Sequence, residues 1–511
     1  MQDYVPPQSV ISAGQSSVGS LFHSRVAVNP EHPAVIEAGK SISYTELENR
    51  TNRLANYLIE SGLQHGDRVA MLARNCTEYV EVELAAAKAG LIVAALNWRL
   101  SDRELAHCAS LVEPKLIICQ QEFSENLEGL DLPEHQSVSI GKNYEDCLAA
   151  SSDLYPGLPV DPEDGLVILY TSGTTGLPKG ALISHRAMIA RGACFASEMQ
   201  IPVADNFVAW APFYHMASTD QSIAILLRGG TVHIVDGYQP DVLIDLIETV
   251  PMRYFVLLPG TVGEFAAAVE ARKARIKKIE LCGAMADLVP REDIAAATRA
   301  LNAPYLNTFG STETGLPPAT GATIPVGVVP DNLSKRQSAF CEVRLVDNND
   351  REVAIGEPGE VAVRGPTVFS GYWNADATNR EDFRGGWFHM GDVMRRNEDG
   401  SLDYVDRVKY MIKSGGENIY PAEIEQVVLE DSRVSEAVVV RKSDPKWSEV
   451  PVVFVVKADP DLNKAEILHA CKQNLASFKQ PKDIIFIEAS ELPRSTTGKV
   501  QRHELEARLL K

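Results

Sequence analysis

Between residues 170 and 180 the chain reads Tyr170-Thr171-Ser172-Gly173-Thr174-Thr175-Gly176-Leu177-Pro178-Lys179-Gly180. Hydroxyls, glycines and one lysine are gathered in a loop directly after the apolar run Leu166-Val167-Ile168-Leu169, which reads as a buried strand. Gly173, Gly176 and Gly180 let backbone amides turn toward an anion, and Thr171, Ser172, Thr174 and Thr175 add hydroxyl donors. Lys179 adds a mobile point charge suited to a polyphosphate. The string is not a Walker A loop, because Lys179 stands between Pro178 and Gly180 where that motif wants Gly-Lys-Ser/Thr. A P-loop kinase or GTPase is therefore disfavoured. By composition alone such a stretch is more often a plain surface loop; the full string is far more specific than its composition.

Other segments carry chemistry in a fixed order. They are Trp210-Ala211-Pro212-Phe213-Tyr214-His215, Asn307-Thr308-Phe309-Gly310-Ser311-Thr312-Glu313-Thr314-Gly315, Gly386-Trp387-Phe388-His389-Met390-Gly391-Asp392, the stretch Asp406 to Pro421, and Pro493-Arg494-Ser495-Thr496-Thr497-Gly498-Lys499. Together with the 170–180 string they resemble the adenylate-forming superfamily, which includes acyl- and aryl-CoA ligases, firefly luciferase and the adenylation domains of peptide synthetases. The resemblance spans nearly the whole chain.

That resemblance implies a fold and a reaction. The fold is α/β: a large N-terminal domain of α/β subdomains with a small β subdomain, followed by a mobile α+β lid. The reaction joins a small carboxylic acid to ATP, giving acyl-AMP and pyrophosphate, and a CoA thiol then displaces AMP. Two anions meet in the first step, so positive charge must offset their repulsion. Lys499 is the implied bridge between carboxylate and α-phosphate, a long-stemmed charge that a moving lid can deliver. Glu313, with Thr171, would hold Mg²⁺, a hard cation that prefers oxygen.

Asn307, Phe309, Gly310, Ser311 and Thr312, with Gly283 and Ala284, form the implied nucleotide-binding set, in which Phe309 could stack on adenine, and Asp392 and Arg407 the ribose set. Lys409 is the implied hinge, followed by Lys413 and by Gly415-Gly416 on the thiol side. His215 would shape the acyl pocket or switch with the thiol step. Each residue also has an ordinary reading: a solvated surface lysine for Lys499, a helix N-terminal charge for Glu313, a turn cap for Asp392, a surface ion pair for Arg407, and core packing for Phe309 and His215.

Departures from common family versions bear on the acid. No aspartate of the amine-binding kind occurs in Phe213-Tyr214-His215, which argues against an amino-acid-activating domain. Ser218 and Cys282 stand where glycine is common and are expected to reshape the acyl pocket. Asp220 could face that pocket and bind a cation, although a solvated or capping aspartate is the commoner case. Transfer to a carrier-protein pantetheine and a silent nucleotide-sensing relative are the alternatives to a CoA ligase; intact Lys499 and Glu313 argue against the sensor.

Composition agrees. The 511 residues exceed one ordinary core, and 45% hydrophobic content can fill several. With 49 Lys and Arg against 69 Asp and Glu, the net charge of −20 disfavours nucleic acid and anionic membranes as partners. ATP and CoA then need local positive charge, which Lys179, Arg407, Lys409, Lys413, Arg494 and Lys499 can supply. The 8 cysteines show no paired or zinc-like spacing and read as reduced core residues. The N-terminal stretch lacks the features of a secretory signal, and no run is long enough to span a membrane, so a cytoplasmic enzyme is expected; a homodimer is allowed.

The elements that must position these residues alternate. A helix is expected after Ser43, with Glu46 completing a capping box, Leu47, Leu54, Tyr57 and Leu58 on its apolar face and Gly62 as its stop. Strand-like 68–72, a helix over 77–88 ending at Gly90, and apolar 91–95 follow, a texture of parallel sheet with crossover helices. Short β pieces at 342–346 and 360–363 mark a β-rich subdomain over about 322–406 within an N-terminal core of 1–406. The lid of 407–511, hinged near Lys409, is expected to hold helices over 422–429 and 464–475 and strands over 437–441 and 452–457.

Overall fold

The computed structural model describes residues 12–171, 177–415, 417–494 and 500–509. The helix expected after Ser43 spans Tyr44–Glu60. Ser43 Oγ accepts the Glu46 N–H, satisfying one free amide of the first turn, and Leu47, Leu54 and Leu58 are buried. Tyr57 is only half-buried, at the margin of that face. Gly62 sits just beyond the helix at φ +91°, a left-handed conformation that glycine adopts at little cost. The next helix, Thr77–Ala89, stops at Gly90 in the same way, with φ +67°.

A six-stranded sheet has the order Gln136–Ser139, Leu116–Cys119, Arg68–Leu72, Ile92–Ala95, Gly165–Thr171, Lys179–Ser184. All neighbours are parallel except the last pair. Every residue of Ile92–Ala95 and of Leu116–Cys119 is buried, as befits parallel strands covered on both faces. Thr171 lies opposite Lys179, so the two ends of the hydroxyl- and glycine-rich string face each other across the ladder. Residues 172–176, which join them, lie outside the described residues.

Two more four-stranded sheets belong to the same part of the chain. One has the order Lys40–Ser43, Pro33–Glu37, Thr231–Ile234, Asn206–Ala209, and the other Met252–Val256, Ile279–Gly283, Tyr305–Asn307, Ala322–Ile324. The short β pieces expected later in the chain form a sheet in the order Glu342–Val346, Pro358–Arg364, Phe388–Arg396, Leu402–Arg407.

Toward the C-terminus, helix Pro421–Leu429 carries proline at its first position, where a missing N–H costs nothing. Strands Val434–Asp444 and Ser448–Lys457 are longer than their apolar runs imply, because the ladder continues through polar residues to the pair Asp444 and Ser448. Helix Lys464–Asn474 starts with a capping box between Asn463 and Glu466. Ile412, Ile419, Ile424, Val439, Val453, Val455 and Ile484 fill the core beneath.

By compactness the described residues form two units, one ending at Val343 but including Val363–Phe388, the other made of Arg344–Ala362 and the residues from His389 on. The segment 389–406 thus groups with the C-terminal residues. One reason is visible at Asp406, whose Oδ2 accepts the Ala422 N–H at 2.8 Å and so caps helix Pro421–Leu429.

Candidate active site

Glu313 lies in the turn of a small hairpin whose strands are Gly310–Ser311 and Gly315–Pro318. The strands pass so closely that a Cβ on Gly310 would meet the Gly315 carbonyl oxygen at 1.8 Å, so this position requires glycine. The Ser/Thr run fixes the turn. Thr314 Oγ1 accepts the Ser311 N–H at 3.1 Å, and Ser311 Oγ accepts the Glu313 N–H at 3.3 Å. Arg191 Nη2 donates to the Thr312 carbonyl at 3.0 Å, and the Phe369 N–H donates to the Glu313 carbonyl at 2.8 Å. Glu313 is therefore a hairpin residue and not a charge at a helix N-terminus.

The Glu313 carboxylate is buried, and its Oε1 accepts a hydrogen bond from Tyr372 Oη at 2.7 Å. Tyr372 is brought there by pairing of 370–373 along strand Lys179–Ser184. Ser370 N–H donates to Leu182 O, Leu182 N–H to Gly371 O and Trp373 N–H to Gly180 O, at 2.8, 3.0 and 2.8 Å. The same pairing sets the Tyr372 ring 4.2 Å from Lys179 Nζ. Lys179, Tyr372 and Glu313 thus converge, a cation and a carboxylate joined through one phenol. Tyr372 was not among the candidates read from sequence; its trace there is the string Gly371-Tyr372-Trp373. The Glu313 carboxylate and the Thr171 hydroxyl are hard oxygen donors and fit Mg²⁺, which takes one or two carboxylates and completes its shell with phosphate and water oxygens.

Asn307 is buried, its Oδ1 accepting the Ala286 N–H at 3.1 Å and its Nδ2 donating to Leu333 O at 2.8 Å, so it ties the two flanking segments together. Gly283, at φ +109°, ends its strand against Tyr305, where a Cβ would lie 2.6 Å from the ring; half-buried Ala284 follows. Phe309 is buried.

In the second unit Asp392 and Arg407 occupy opposite positions on the antiparallel strands Phe388–Arg396 and Leu402–Arg407. Arg407 Nε donates to Asp392 Oδ1 at 2.9 Å, and the Asp392 charge holds the guanidinium proton more tightly than usual. The two ribose candidates are thus each other's partners, and Asp392 is a strand residue, not a turn cap. Lys409 lies in the short turn Val408–Tyr410, its carbonyl accepting from Arg441 Nη2 at 2.8 Å. Lys413 is exposed. Gly415, at φ +60°, donates its N–H to Trp447 O at 2.8 Å, and a Cβ there would lie 2.7 Å from the Trp447 ring. Gly416 and Lys499 lie outside the described residues, as do Ser172, Gly173, Thr174, Thr175 and Gly176.

Residues 22–373 match the AMP-binding enzyme family, and residues 423–499 match its C-terminal domain. The chain belongs to this family. It is 32% identical to a feruloyl-CoA synthase of Amycolatopsis sp over 498 residues, covering 96% of this chain and 99% of that one. An indoleacetate–CoA ligase of Aromatoleum aromaticum is 31% identical, with 94% and 95% covered. A fatty acyl CoA synthetase from Mycobacterium tuberculosis has a similar structure, with a TM-score of 0.78 and 26% identity over 96% of this chain and 98% of that chain. The protein is an AMP-forming acyl-CoA synthetase that works through an acyl-AMP intermediate.

In this synthetase the residues expected around the acid behave unevenly. His215 is exposed and caps helix Met216–Leu227, its Nδ1 accepting the Ala217 N–H at 3.1 Å; it is no core histidine, and its Nε2 is left to carry the proton. Ser218 Oγ donates to Ala211 O at 2.6 Å, binding the helix to the segment before it. Cys282 is fully buried with its thiol toward the Ala303 and Pro304 carbonyls, both at 3.7 Å. Asp220 is neither solvated nor a cap. It lies on the buried face of its helix, 2% exposed, and pairs with Arg191 at 3.2 Å.

Among the described residues no helix is long and apolar enough to cross a membrane.

Proposed function

We propose that this synthetase activates an aromatic or aryl-alkanoic acid and transfers it to CoA. The observation that carries this reading is kinship over nearly the whole chain to ligases named for aryl acids. Exposed His215 ends a segment whose Phe213 is buried against Tyr79, with ring centroids 5.2 Å apart and an 18° tilt. The relatives named for feruloyl and indoleacetate substrates support the reading.

In the proposed division of labour, Lys179 and the hydroxyls of the 171–176 string receive the phosphates, while Glu313 and Thr171 hold Mg²⁺. Bound there, the ion would neutralise phosphate charge. Tyr372 orients the carboxylate. Asp392 and Arg407 take the ribose hydroxyls, and Lys499 stabilises charge where carboxylate meets α-phosphate. Gly415-Gly416 faces the thiol. The eight unpaired cysteines support a cytoplasmic setting.

The test is a panel of substituted cinnamic, indole-containing and straight-chain acids with ATP, Mg²⁺ and either CoA or a holo carrier protein, with products read by mass spectrometry. Aryl-CoA thioesters should dominate. Straight-chain thioesters alone would overturn the acid assignment, and acylation of the carrier protein alone would overturn the CoA assignment.

A further inference from the structure

Behind the Glu313 hairpin lies an ion pair that the adenylation chemistry does not use. Arg191, on helix His185–Glu198, and Asp220, on helix Met216–Leu227, are each 2% exposed. The guanidinium reaches three segments at once. Its Nη1 donates to Asp220 Oδ2 at 3.2 Å, its Nη2 to the Thr312 carbonyl at 3.0 Å, and its Nε to the Thr367 carbonyl at 3.0 Å. Thr312 directly precedes Glu313, and Thr367 lies two residues before Phe369, whose N–H holds the Glu313 carbonyl. Gly315 closes on the same side chain, since a Cβ there would sit 2.7 Å from Arg191 Cγ and Cδ. Both chain segments that support Glu313 therefore rest on one forked cation, a geometry that lysine cannot reproduce.

The charge balance of this fork is narrow. Two carboxylates act on Arg191, those of Asp220 and Glu313, with Asp220 the stronger influence. Glu83 is also buried in this region, but burial pushes its carboxyl up to about 8, so it is a neutral acid at physiological pH and offers no second counter-charge. Buried arginine without Asp220 would be left to lean on Glu313.

We propose that Arg191 is a positioning residue for Glu313, with Asp220 as the counter-ion that leaves the Glu313 carboxylate to the nucleotide-bound metal. This rests on the reading of Glu313 as a metal ligand. It predicts that damage to the pair shows in metal-assisted nucleotide binding before any turnover occurs.

The experiment measures ATP affinity by calorimetry in the absence of acid, once with Mg²⁺ and once with EDTA. In the intact enzyme Mg²⁺ should tighten binding. Arg191→Lys keeps the charge beside Asp220 and so should fold, yet the metal-dependent gain should shrink on the order of tenfold, about the worth of one or two hydrogen bonds, with metal-free binding unchanged. Asp220→Asn should do the same, and Asp220→Glu should restore most of the gain. If Arg191→Lys keeps the full gain, or weakens both measurements equally, the proposal is wrong. Glu313→Gln run alongside separates the premise: a full metal-dependent gain in that variant would remove Glu313 from the metal site, whatever Arg191 does.

Discussion

Tyr372 Oη and Glu313 Oε1 lie 2.7 Å apart, joining two residues 59 positions apart in sequence into one hydrogen-bonded unit. The phenol donates and so fixes the rotation of the carboxylate. Its ring meanwhile faces Lys179 Nζ at 4.2 Å. Tyr372→Phe removes the donor and keeps the ring. A hydrogen bond to a charged group contributes about 1.5–3 kcal/mol, so adenylation should slow by roughly tenfold or more, read as acid-dependent pyrophosphate exchange. Tyr372→Leu, which also removes the face beneath Lys179, should raise the KM for ATP in addition. Equal effects of the two variants would deny the ring its part.

Glu313→Gln keeps the shape and the Tyr372 contact but removes the formal charge of the proposed metal site. Adenylation should weaken and require more Mg²⁺. Unchanged exchange with unchanged Mg²⁺ dependence in the folded variant would take that role away from Glu313.

The hinge proposal centres on Lys409, whose carbonyl is held by Arg441. Proline at 409 fixes φ and hinders rotation there. Lys409→Pro should preserve acyl-AMP formation and slow transfer to CoA, measured by single-turnover assays of each half-reaction. Equal loss of both steps, or of neither, would count against a pivot at this residue.

Stability should fall in mild acid through two buried histidines. Burial pushes His185 and His233 down to about 4 from an ordinary value near 6.5. His185 Nδ1 accepts the Val18 N–H, so protonation would also break that contact. Between these values the unfolded chain binds more protons than the folded one. The stability each neutral ring supports is thus present above about pH 6.5 and lost as pH falls toward 4, about 3 kcal/mol per histidine over the window. Glu83, held protonated up to about 8, acts with the opposite sign, so the variant difference is the readout. His185→Gln should lower the melting temperature less at pH 5 than at pH 7.5. The same decrement at both values would contradict the assignment.

The elements that carry these residues were legible where one periodicity ran long enough. Helix Tyr44–Glu60 and the strands Arg68–Leu72 and Ile92–Ala95 declare themselves through caps, stops and apolar runs. The hairpin around Glu313 does not, since two-residue Gly310–Ser311 has no period to read. Lys179 was legible because its string is specific. Tyr372 was not, because its approach to Glu313 comes from a pairing with strand Lys179–Ser184 that sequence spacing does not encode. Asp220 was misread for a physical reason: an aspartate is normally solvated, and only the approach of Arg191 from another helix makes burial tolerable here.

The final prediction separates the lysine loop from the glycines on the lid. If Lys499 acts only where carboxylate meets α-phosphate, Lys499→Ala should depress adenylation on the order of 10²–10³, the cost of losing one electrostatic donor to a transition state. Supplied acyl-AMP bypasses that step, so the variant should still make acyl-CoA from acyl-AMP and CoA at close to the unaltered rate. The thiol step should depend instead on the Gly415 turn. Trp447 packs against Gly415, is about 41% exposed, and accepts the Gly415 N–H through its carbonyl. Trp447→Ala removes the ring packed on Gly415 while the backbone carbonyl stays, and should slow thioester formation from acyl-AMP while leaving pyrophosphate exchange intact. The two variants thus have opposite expected profiles in the same pair of assays. If Lys499→Ala loses thioester formation from supplied acyl-AMP as completely as it loses adenylation, while remaining folded, one group serves both steps and the division of labour is wrong.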